Sequence, residues 1–86
     1  MQLESTRGRR FVVLNFADNV ATLLDDNLDT DCLENKTLIE LGIPFGHKVS
    51  LSFIAEGEPI VKYGVEIGTA TKSIEQGEHV HVHNCE

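Results

Sequence analysis

The sequence predicts a small, mainly β domain with one short helix, and three observations predict it. From residue 37 onward no stretch reaches helical length with a 3.6-residue period. Glycines at 57, 64, 68 and 77 cut that half of the chain into pieces of strand length. Between them lies a clean period of two over 47–54: His47, Val49, Leu51 and Phe53 share one face, while Lys48, Ser50 and Ser52 share the other.

Taken in order, residues 1–10 read as a loose N-terminal segment and 11–86 as the domain. Residues 9–16 are rich in β-branched and aromatic types, which favours a strand. Asp18 then stands as a candidate N-cap before Asn19-Val20-Ala21-Thr22-Leu23-Leu24, the expected one or two helical turns. Residues 25–36 set Asp25, Asp26, Asp29, Asp31 and Glu34 against one Lys36. They lack the glycine and the spacing of a calcium loop and read as a solvated acidic loop. Residues 37–41 read as a strand, and Gly42-Ile43-Pro44-Phe45-Gly46 as a turn. An internal echo follows at an offset of 20, since 54–60 (IAEGEPI) and 74–80 (IEQGEHV) share a frame: apolar, two mostly polar residues, Gly-Glu, any residue, apolar. Each copy fits a strand end, a glycine turn and a new strand.

The whole is 86 residues with 41% hydrophobic and 24% charged side chains, ordinary for one small folded domain. A chain of this size buries about 60–65% of its unfolded surface and hardly encloses a substrate cleft alone, so a partner is expected to supply some of the walls. The net charge of −7 disfavours nucleic acid and anionic lipid as partners. No apolar run approaches the roughly 20 residues of a membrane span. Phe11-Val12-Val13-Leu14 stops at Asn15, too short for a signal peptide, and the expected compartment is the cytoplasm. Cys32 and Cys85 are expected as free thiols. Phosphate-binding glycine loops, nucleophile elbows and Cys-x-x-Cys pairs are absent from the sequence.

The chemistry-bearing segment is Gly77-Glu78-His79-Val80-His81-Val82-His83-Asn84. On a strand His79, His81 and His83 share one face and Val80 and Val82 turn to the core. Adjacent histidines then stand about 6.6–6.8 Å apart along the chain, within reach of one metal ion, whereas the third needs a bend in the strand. Imidazole suits zinc, iron, copper or nickel, and added carboxylates or water favour iron or manganese. His47 is a candidate extra ligand or acid/base group, and Lys48 and Lys62 are candidates for holding a carboxylate. A solvated polar face is the plain alternative for the three histidines.

Several separated motifs resemble, in order and spacing, the N-terminal domain of the altronate dehydratase family. They are Asp18-Asn19-Val20-Ala21, Ile43-Pro44-Phe45-Gly46-His47-Lys48-Val49, Ala55-Glu56-Gly57-Glu58, Val61-Lys62-Tyr63-Gly64 with Ile67-Gly68, and the histidine segment to Asn84. The resemblance runs over residues 11–84. The glycine-His-Lys and Tyr-Gly motifs recur in galactarate dehydratases, but the histidine-rich end points to the altronate type. The resemblance implies an SAF-type β-clip fold and a part in a metal-dependent hydro-lyase acting on sugar acids, with iron or manganese as the divalent ion. It also implies a large dehydratase subunit or C-terminal catalytic domain as partner, without which this chain is inactive. His81, His83 and His47 become catalytic candidates, His79, His81 and His83 metal ligands, and Lys48 and Lys62 substrate-binding groups. Sulfolactate sulfo-lyases share the two-part arrangement and are the alternative, followed by a non-catalytic module that binds a sugar acid or metal or aids assembly. Self-association through exposed strand edges is a further expectation.

Overall fold

Turn residues set strand length throughout this chain. The computed structural model describes residues 8–86 and contains six strands of two to five residues. They are β1 (Phe11–Val12), β2 (Val20–Leu23), β3 (Lys48–Ser50), β4 (Pro59–Lys62), β5 (Val65–Thr69) and β6 (His79–Val80). A four-stranded antiparallel sheet runs β1-β2-β3-β6, and β4 and β5 form a separate two-stranded ribbon. The mainly β class is thus as expected. Expectations falling on residues 1–7 lie outside the described residues.

The short helix is not there: its residues form β2, and no helix occurs among the described residues. The reason is burial on both faces. Val20 packs into one apolar cluster with Ile54, Ile60, Ala70, Ile74 and Val80. Ala21 and Leu23 pack into a second with Leu33, Ile39, Ile43 and Val49. A strand buried on both sides reads as a continuous apolar run, which periodicity alone does not separate from a helical turn. Asp18 caps nothing; its carboxylate instead accepts the N–H of Gly64, 2.8 Å away.

Three further expectations need correction. Residues 37–41 form no strand, because their polar backbone is shared among separate partners: Leu38 bridges to Cys32, Ile39 N–H donates to the Asp31 carbonyl, and Glu40 N–H to that of Gly77. The alternation over 47–54 stops at Ser50, which is buried because its hydroxyl donates to the Glu75 carbonyl and accepts from Glu78 N–H. Beyond it the chain bends and Phe53 faces solvent. Packing also starts before Phe11. Arg9 is fully buried, with its guanidinium donating to the Asp25 carboxylate (2.9 Å), the Asp25 carbonyl (2.5 Å) and the Ile43 carbonyl (2.6 Å). Such a buried cation is tolerated only when paired and hydrogen-bonded, so Asp25 belongs to the fold and not to a freely solvated loop.

The internal echo is a real pair of turns. Ile54 and Ile74 face each other and exchange two N–H···O bonds of 2.8 Å. In one copy Ala55 N–H donates to the Glu58 carboxylate at 2.9 Å, and in the other Glu75 N–H donates to Glu78 at 2.9 Å. Gly57 and Gly77 have φ of 90° and 86°, a region that side chains with a Cβ disfavour. The ribbon turns at Tyr63-Gly64, whose positive φ values of 57° and 78° suit a two-residue hairpin loop. Among the described residues, no helix is long and apolar enough to cross a membrane.

Candidate metal centre

The antiparallel register of β3 and β6 builds the site. Lys48 lies opposite Val80 and Val49 opposite His79, and His47 and His81 follow directly beyond the Lys48–Val80 pair, with their rings 4.5 Å apart. Side chains alternate along both strands, so His47, His79 and His81 fall on the same side as Val49. One ligand nitrogen from each of these three imidazoles lies within 4.8 Å of the others. His47 Nδ1 and His79 Nε2 are 3.0 Å apart, and the His47 and His81 rings stack with centroids 4.5 Å apart.

This constellation differs from the expected face of His79, His81 and His83. β6 ends at Val80, and residues 81–84 turn, closed by Asn84 N–H donating to the His81 carbonyl at 3.1 Å. The turn leaves Val82 in solvent and not in the core, and His83 exposed. The His83 ring still lies 5.6 Å from that of His79, tilted against it. His47, 32 positions away, stands inside the cluster.

Burial, followed by the neighbouring His47, His83 and His81, holds the His79 ring below the ordinary histidine pKa, while Glu40 pulls the other way. The 3.0 Å nitrogen–nitrogen contact with His47 fits this, because a shared proton needs one acceptor nitrogen and hence a neutral ring. The same donors fit a divalent ion. Nitrogens about 2.1 Å from a common ion stand roughly 3.0–3.4 Å apart in octahedral or tetrahedral sets, so the His47–His79 pair is already at ligand spacing. An all-imidazole set suits zinc, copper, nickel or iron better than manganese.

Of the two lysines, Lys48 lines a cleft of about 200 Å³ together with His81, Ile67, Val82 and Cys85. Lys62 sits on the ribbon with its ammonium 4.8 Å from the centre of the Tyr63 ring and does not line that cleft. Cys32 and Cys85 are free thiols. Two polar residues beside the histidines have no role in the sequence reading. Glu40 accepts the His79 N–H at 3.0 Å, and Asn84 is completely buried under the turn. Glu40 lies 39 positions away and leaves no local signal; the short polar side chain of Asn84 directly after the histidine run is the signal for a turn there.

The chain is 38% identical over 79 residues to altronate dehydratase of Bacillus subtilis, an alignment that covers 88% of this chain and 16% of that protein. It is 57% identical over 42 residues to (2R)-sulfolactate sulfo-lyase subunit alpha of Chromohalobacter salexigens, covering 49% of this chain and 45% of that subunit. The corresponding subunit of Paracoccus pantotrophus is 46% identical over 43 residues, covering 50% of this chain and 64% of that subunit. The chain thus spans less than two thirds of each of these relatives. Residues 9–86 match the family described as the altronate/galactarate dehydratase SAF domain, and the chain belongs to that family.

Proposed function

We propose that this chain is the imidazole-bearing small part of a two-part hydro-lyase that dehydrates a sugar acid, with its site completed by a large catalytic subunit or domain. The observation that carries this reading is the convergence of His47, His79 and His81 within 4.8 Å at the protein surface. The alignment with an altronate dehydratase across 88% of this chain, but 16% of the relative, supports both the reaction class and a missing larger part.

In this reading His47, His79 and His81 would hold a divalent ion, iron or manganese as the family resemblance implies, which would supply Lewis-acid stabilisation of the charge that develops on the substrate. Dehydration removes the proton beside the carboxylate and expels the neighbouring hydroxyl as water. Lys48, in the cleft beside His81, holds the carboxylate and answers the repulsion that a chain of charge −7 presents to an anion. His83, exposed next to His79, is the imidazole left free to move a proton. Lys62 lies outside this cleft, with its ammonium over the Tyr63 ring.

The high local identity to a sulfo-lyase alpha subunit favours one second reading, elimination of sulfite in place of water. Co-expression with a large lyase part and assay on altronate and (2R)-sulfolactate separates the two by product: a keto acid with no sulfite, or sulfite. In the assembled enzyme, His83→Ala is expected to lower turnover by about 10²–10⁴-fold as loss of the proton-moving group, and His47→Ala and His81→Ala to lower it as loss of metal ligands, all with assembly intact. Unchanged turnover sinks the catalytic reading, and weakened assembly with normal turnover once assembled makes the chain a scaffold.

A further inference from the structure

The bend after β6 is held by one side chain. Asn84 is fully buried, and both ends of its amide are spent on the backbone flanking Val80. Its Oδ1 accepts the His81 N–H at 3.0 Å, and its Nδ2 donates to the His79 carbonyl at 2.9 Å. Its own N–H closes the 81–84 turn on the His81 carbonyl, and its carbonyl accepts Thr71 N–H at 3.0 Å, which ties the turn to the chain just beyond β5. The two peptide groups that aim the His79 and His81 side chains are therefore pinned from one point.

We infer that Asn84 is a positioning residue for the imidazole cluster: it sets the directions of His79 and His81 so that both meet His47. This rests on the proposed metal-holding role of the three histidines. A straight strand projects the side chains of residues 79 and 81 in parallel from backbone positions about 6.6–6.8 Å apart, so two imidazoles reach a common ion only by turning toward each other. Here the ladder stops at Val80, the chain turns, and the ligand nitrogens lie within 4.8 Å. The job needs an acceptor and a donor together, which an amide supplies and an ionised carboxylate does not. Asp at this position presents oxygen to the His79 carbonyl, and Ala leaves both backbone groups buried without partners.

The test is a Co²⁺ titration of the full chain, followed by absorption spectroscopy, for the wild type, Asn84→Asp, Asn84→Ala and Leu33→Ala. Leu33 is a buried residue of the other apolar cluster and serves as a control for loss of stability alone. At a temperature where circular dichroism shows all chains folded, the Asn84 variants are expected to bind Co²⁺ about 10–100-fold more weakly, with Leu33→Ala unchanged. Equal affinity in the Asn84 variants, an equal loss in Leu33→Ala, or failure of both Asn84 variants to fold while Leu33→Ala folds would each overturn the inference. Absence of Co²⁺ binding by the wild type counts against the metal reading instead. Cross-ring nuclear Overhauser contacts among His47, His79 and His81 in the metal-free chain then decide on Asn84: their loss in Asn84→Asp supports it, and their persistence removes it.

Discussion

The two glycine turns share a sequence frame and a hydrogen-bond pattern, and they face each other through Ile54 and Ile74. They differ in the strand each one feeds and in their surroundings. The first copy runs into Pro59–Lys62 and a ribbon that ends in a hairpin; the second runs into His79–Val80 and the imidazole cluster. The first glycine stands in open space, whereas the second lies against the 38–39 backbone. The same turn serves as scaffold in both copies, and the two differ in whether the strand that follows carries imidazole.

The largest expected effect separates the two glycines. A Cβ on Gly77 would lie 2.0 Å from the Leu38 carbonyl oxygen and 3.0 Å from Ile39 Cα, whereas one on Gly57 meets nothing within 4 Å. Gly57→Ala is therefore expected to cost about 1–2 kcal/mol, from its positive φ alone. Gly77→Ala adds a backbone clash and is expected to cost about 3 kcal/mol or more. Urea melts of the two variants check this, and equal losses would mean that the turns are equivalent in packing as well as in pattern.

A smaller difference lies in pH. The first copy carries no imidazole, while His79 in the second is held below its ordinary pKa. The unfolded chain therefore takes up that proton first, and the metal-free protein loses stability as pH falls through about 6.5. Urea midpoints are expected to drop between roughly pH 7.5 and 5.5, and the drop should shrink in His79→Gln. A midpoint that rises over this range would contradict the neutral folded state of the ring.

The smallest effects should be nearly equal. Glu58 and Glu78 each accept one exposed N–H three residues back, at the same 2.9 Å. Glu58→Ala and Glu78→Ala are expected to cost about 0.5–1.5 kcal/mol each, the worth of one exposed hydrogen bond. A large excess at Glu78 would show that its carboxylate also serves the histidines.

The features legible in the sequence were the local ones. The turns could be found because glycine at positive φ and a glutamate bonding three residues back leave a fixed short pattern at 54–60 and 74–80. β2 was not legible, because Val20, Ala21 and Leu23 are buried on opposite faces and show no alternation. The C-terminal histidines could be picked out as a group and His47 as a candidate extra ligand, but not which three of the four converge. A period of two groups His83 with His79 and His81, and only the β3–β6 register brings in His47. Asp18 illustrates the same limit, since its hydrogen-bond partner lies 46 positions along the chain.

The distance in sequence between His47 and His79 also governs when the cluster can exist. Closing so long a loop costs chain entropy before the contact returns anything, and β topologies dominated by distant pairings fold slowly, on the order of milliseconds to seconds. During synthesis His47 emerges well before the residues that complete its cluster. The three imidazole nitrogens come together only once β6 has paired with β3, so the ion proposed for this cluster would have to wait for that pairing.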